Sequence, residues 1–154
     1  MSERQISRAL APFARRIGNL ASRGVVVMVN AALKMQGLQL RLMAGEIKDG
    51  VEHIEPYGFT AHPHPGAEAI TLFFGGDRSH GVVLATPDRR YRLRNLAEGE
   101  VALYDDLGHV IKLSRGGIVV DGGGHPITVT NTPKLRCEMP LLECTGDIIA
   151  HCDD

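Results

Sequence analysis

Apolar side chains recur along this chain with two different periods, and the change of period divides it. Ile6, Leu10, Phe13, Ile17 and Leu20 are spaced four, three, four and three residues apart, the seam of a helix that pairs with other helices. The spacing predicts a helical segment over residues 1–23, with Ser2 as its N-cap. Pro12 lacks a backbone donor and predicts a kink or a late start. From Gly24 the period falls to two. Residues 24–29 are β-branched almost throughout, and Leu38, Leu40 and Leu42 alternate with Gln39 and Arg41. Val51 to Tyr57 reads as a weaker third strand. Ala67 to Phe74 and Gly81 to Ala85 make two more around a turn from Gly75 to His80. Five short strands without a helical pattern between them predict a small antiparallel OB-like barrel over residues 24–95.

After Pro87 the strands become shorter and the turns richer in glycine. Val101 to Tyr104, Val110 to Leu113, Ile118 to Val120, Ile127 to Thr130, Leu135 to Met139 and Leu141 to Cys144 all read as strands. Residues 96–116 are read as connecting strands. Beyond them, Ile118, Val120, Ile127, Val129, Leu135, Cys137 and Met139 put one apolar face forward by alternation. A lone chain has no second layer with which to bury that face. Winding it with identical copies around a shared axis would bury it and leave few free edges. The pattern therefore predicts an obligate oligomer with these seven side chains as its shared core.

Composition agrees with many tight turns and a small core: 18 glycines, no tryptophan and 5% aromatics. The net charge of -1 favours neither nucleic acid nor an acidic partner. No apolar run is long enough to span a bilayer, and Arg4, Arg8, Arg15 and Arg16 break up any secretory leader, so synthesis in a cytoplasm is expected. Arg23 joins those four on the first segment, where they read as a solvated face or as a docking face for an acidic partner.

Candidate chemistry is sparse. His62-Pro63-His64-Pro65 is the one His-x-His and reads as a solvated turn, because a metal would need a further ligand nearby. Cys137, Cys144, His151 and Cys152 lack the close pairs of a structural zinc site, and Cys137 reads as a buried apolar thiol. No nucleophile elbow, phosphate loop or dinucleotide fingerprint occurs, so no catalysis is expected. Arg89, Arg90, Arg92 and Arg94 around Tyr91 are the minimal recipe for a single-strand nucleic-acid groove, the rival reading. The scarcity of other aromatics argues against it. These arginines are expected instead at the junction after the barrel, paired with Glu98 or Glu100.

Several short stretches in order resemble one family. They are residues 51–60 (VEHIEPYGFT), 65–69 (PGAEA), 75–78 (GGDR), 88–92 (DRRYR) and 99–105 (GEVALYD). Together they resemble the baseplate assembly protein V, or central spike, family of Mu-like phages. The resemblance implies an all-β chain with a short N-terminal helix, an OB-like barrel, and an intertwined trimeric β-helix over residues 117–154. It further implies a homotrimer in the virion, centred in the contractile-tail baseplate. Its partners there would be hub and tail-tube proteins, with the host outer membrane or envelope met on penetration, and no nucleic acid. Related spikes often close their tip with His-x-His holding iron. No such pair occurs near residue 154, so no cofactor is expected, unless His151 and Asp153 stand in.

Overall fold

The computed structural model describes residues 3–149. It begins with α1 (Glu3–Gly18) and continues through β1 (Ala21–Asn30), β2 (Gly37–Arg41), β3 (Ile47–His53), β4 (Glu68–Phe73) and β5 (Gly81–Ala85). These five strands close a barrel in the order β1-β2-β3-β5-β4. All neighbours are antiparallel except β3 and β5, which run parallel. The expected all-β barrel behind a short helix is thus present.

Closure depends on the length of β1. Its first half pairs with β4 (Ala21 opposite Leu72, Val25 opposite Glu68), and its second half pairs with β2 (Val25 opposite Arg41, Asn30 opposite Gly37). One strand can serve both neighbours because a register irregularity between Val26 and Met28 bends it. Alternation then turns Val26, Leu38, Leu40, Ala69, Phe73 and Val83 inward, where each is almost wholly buried. Leu42, Val51 and Ala67 complete this core.

Three boundaries differ from the sequence reading. The helix stops at Gly18 instead of continuing to residue 23, because Leu20 already accepts the Phe73 N–H at 2.8 Å beside β4. It runs through Pro12 without a break, on a segment with no buried residue, where a lost backbone bond can be solvated. The third strand spans Ile47–His53, earlier than the expected Val51 to Tyr57. Its polar start was hidden because only Val51 and His53 of that strand point inward.

Two polar groups lie within the barrel. His53 is buried, with Nδ1 3.2 Å from Gln36 Oε1 and 4.0 Å from Glu55 Oε1. Gln36 Nε2 donates to the Ala61 carbonyl at 3.1 Å, and the Ala61 N–H donates to Glu55 Oε1 at 2.7 Å. This network straps the loop after β3 to the barrel. Burial pushes the His53 imidazole below its usual value of 6.5, against a smaller opposite pull from Glu55. The second group is the Thr71 hydroxyl, fully buried without a hydrogen-bond partner.

Two expected outcomes follow from these groups. Thr71→Val removes an orphaned hydroxyl and should raise stability by about 1 kcal/mol in denaturant unfolding. His53 is favoured neutral in the fold, so the unfolded chain takes up its proton first. Its contribution is whole above pH 6.5 and shrinks as pH falls from there towards the lowered folded value. Thermal unfolding between about pH 7.5 and about pH 5 should show that loss, and His53→Gln should flatten it.

Candidate assembly interface

Three further strands, β6 (Val101–Tyr104), β7 (Val110–Ser114) and β8 (Gly117–Asp121), form a separate antiparallel sheet. Its register stacks the side chains into two cross-strand rows. Val101, Leu113 and Ile118 are aligned in one, and Leu103, Ile111 and Val120 in the next. Because side chains alternate, all six lie on the same face. The other face carries Ala102, Tyr104, Val110, Lys112, Val119 and Asp121. The six apolar side chains range from 47% exposed (Ile111) to 71% (Ile118). None of the described residues buries them.

The turns that hold this sheet are well made. At the β6–β7 turn, Asp105 Oδ1 accepts the N–H groups of Leu107 and His109, each at 3.0 Å, and Oδ2 lies 2.5 Å from His109 Nδ1. At the β7–β8 turn, Ser114 Oγ donates to the Gly117 carbonyl at 2.8 Å. Arg115 reaches back from that turn, with Nε donating to the Glu98 carbonyl at 2.9 Å and its N–H to Glu100 Oε1 at 3.3 Å.

Arg115 thereby takes the partners expected for the arginines around Tyr91. Arg89 instead meets Glu68 at 2.6 Å, and Arg90 clasps Asp88 at 2.6 Å and the Pro65 carbonyl at 3.0 Å. The hydrogen bonds from Arg90 hold the Asp88 carboxyl below the usual range. Tyr91 lies against His64, ring centroids 5.1 Å apart, and His64 Nε2 is 3.2 Å from Asp106. In the His62–Pro65 stretch both histidines are exposed, as a solvated turn requires, while Pro63 is buried. No group of three metal-ligating side chains occurs among the described residues.

After β8 the chain turns at Gly122-Gly123-Gly124. Gly123 has φ +57°, and an added Cβ would sit 2.8 Å from the Gly108 backbone, so the turn is packed against the β6–β7 turn and admits no side chain. The His125 N–H donates to the Gly122 carbonyl at 2.8 Å. Beyond it no strand is formed among the described residues, contrary to the expectation for Ile127 to Thr130, Leu135 to Met139 and Leu141 to Cys144. Every described residue from Gly123 to Ile149 is exposed. Ile127, Val129, Leu135 and Met139 are all more than half exposed. Cys137 is exposed as well, so within one chain it is not the buried thiol expected. The reason is physical: a strand exists only with a hydrogen-bonded neighbour, and the described residues offer the tail none. His151, Cys152 and Asp153, on which the tip and zinc readings bear, lie outside the described residues.

The stretch from the β6–β8 sheet through the tail thus exposes apolar side chains that no described residue buries. Beside the sheet, a groove of about 480 Å³ is lined by Leu103, Ile111, Val120 and Ile127 together with Asp105, His109 and Asp121. Ile118, Val120, Ile127, Val129, Leu135, Cys137 and Met139, singled out by alternation, all lie exposed on this stretch. Val101, Leu103, Ile111 and Leu113 had been read as mere connecting strands. Their signal was the same alternation.

Residues 23–90, the span of the barrel, match the family described as Bacteriophage Mu Gp45, N-terminal. Over 148 residues, 96% of this chain and 75% of the relative, the chain is 37% identical to the baseplate puncturing device gp45 of Escherichia phage Mu. It is 41% identical over 144 residues, 94% of this chain and 74% of the relative, to the Mu-like prophage FluMu protein gp45 of Haemophilus influenzae. The chain belongs to the Mu gp45 family. Membership makes it a structural protein of the phage-tail baseplate, in agreement with the resemblance read from the short stretches above. No helix among the described residues is long and apolar enough to cross a membrane.

A matched pair of substitutions distinguishes the two faces of the sheet. Val120→Asp places a carboxylate in the middle of the apolar face and should abolish any oligomer band that the unsubstituted chain gives on an unheated detergent gel. Val119→Asp, one residue earlier and on the opposite face, should leave that band intact.

Proposed function

We propose that this chain is the central spike of a contractile-tail baseplate: a homotrimer that caps the tail tube and pierces the host envelope when the sheath contracts. The observation that carries the reading is the unpartnered apolar surface from Val101 to Met139, in a family whose Mu member is named for puncturing. Three identical chains winding that surface inward would convert an extended tail into an intertwined β-helix over residues 117–154. Ile118, Val120, Ile127, Val129, Leu135, Cys137 and Met139 would then be its shared core, and each exposed strand would gain a neighbour from another copy.

Mechanics follows from that arrangement. The ladders of the tail would cross between chains, so no copy could peel away without breaking bonds to the others. Such a rod unfolds slowly and transmits axial load. The barrel, with its own buried core, would form a collar at one end. Its contacts would be with hub and tail-tube proteins, and the envelope would be met by the rod. No catalytic group and no cofactor take part in this account.

The position can be read directly. Antibody fragments against the barrel should decorate intact tails at the baseplate end, on the tail axis, in negative-stain images. Label along the sheath or at the head would overturn the reading. Particles carrying Val129→Asp should adsorb to host cells yet fail to deliver DNA, with plaque formation reduced by at least about a hundredfold, since three unpaired carboxylates would meet near one axis.

A further inference from the structure

The helix α1 carries a second apolar stripe that no described residue buries. None of its residues is buried, and Ile6, Leu10, Phe13 and Ile17 are 41–69% exposed, with Leu20 just beyond it at 39%. It meets the barrel at its C-terminal end, where the Arg16 carbonyl packs onto Gly76, a position with φ +71° and no room for a side chain. A helix of 16 residues attached at one end is marginal in water unless its apolar stripe is covered.

The shape of the stripe identifies what covers it. Within the helix Ile6 and Phe13 occupy one seam position and Leu10 and Ile17 the other of a 3.5-residue repeat, which is narrow. Ser7, Ala9, Ala14 and Arg16 flank it, and the first three are small enough to let another helix approach closely. A helix lying on lipid needs a broader apolar face, with its cations at the edges. Here Arg4, Arg8 and Arg15 fall on the side away from the seam, where they would stay in water if helices packed seam to seam. The fourth arginine of α1, Arg16, lies beside the seam at the end attached to Gly76, so the outward placement of the other three keeps most of the like charge apart.

We propose that α1 pairs with the α1 helices of two further copies of this chain, in a parallel three-stranded coiled coil at the end of the molecule opposite the rod. The proposal rests on the three-copy reading above. A threefold rod brings three barrels together in the same orientation, and each barrel holds its helix through Gly76. The three helices therefore arrive parallel and in register. The outer surface of the bundle is a ring of arginines.

The test uses the full chain with Cys137, Cys144 and Cys152 changed to serine. In that background Leu10→Cys, on the seam, should form interchain disulfides under mild oxidation, visible as a dimer band on a non-reducing gel. Arg8→Cys, on the outside, should form few. The mass of each variant under reducing conditions is measured alongside by light scattering. A threefold mass with no Leu10 cross-link would overturn the coiled coil and leave the rod standing. A single-chain mass would overturn both. Equal cross-linking at the two positions would also overturn the seam, because it would show helices meeting without a preferred face.

Discussion

An apolar β-face must be covered, and none of the described residues covers this one. The six side chains of the two cross-strand rows share one side of the β6–β8 sheet, and the apolar residues of the tail after it are exposed as well. Burying one such side chain is worth about 2 kcal/mol, and the described residues supply no second layer for that burial. Everything distinctive about the molecule follows from this. The tail stays without strands, Cys137 stays exposed, and the glycine turns position the layer without closing it.

The barrel is the contrasting part. It closes on itself through a bent β1, buries Phe73, Leu38, Leu40, Val26 and Val83, and straps its long loop down through Gln36, His53 and Glu55. It is therefore a self-sufficient unit from which two dependent elements project, a helix with a bare seam and a sheet with a bare face. A chain built this way is poorly suited to acting alone, and the threefold association proposed above would cover both bare surfaces at once.

Much of this was legible in the residues. Val25 to Val29, the Leu38-Leu40-Leu42 alternation and Gly81 to Ala85 mark barrel strands because side-chain pattern alone determines which face turns inward. The start of β3 was not legible, since Ile47 and Asp49 are exposed, the half-buried Lys48 is charged, and the three show no apolar period. Alternation also placed strands at Ile127, Leu135 and Leu141 that one chain does not form. The pattern reports which side chains want burial, but a strand further requires a neighbour for its backbone. The pairing of Glu98 and Glu100 was misassigned to the nearby arginines because the fold of β7 and β8, which brings Arg115 back to them, is a long-range effect. The family stretches, by contrast, were specific enough as an ordered set to identify the relatives with which the chain aligns almost end to end.

The central claim is that the bare face is covered by identical copies, and the solution mass of the purified protein by light scattering tests it most directly. The account predicts three times 16.7 kDa, persisting on dilution and in mild detergent. A stable particle of 16.7 kDa would contradict it, because a lone chain would then be keeping that face in water.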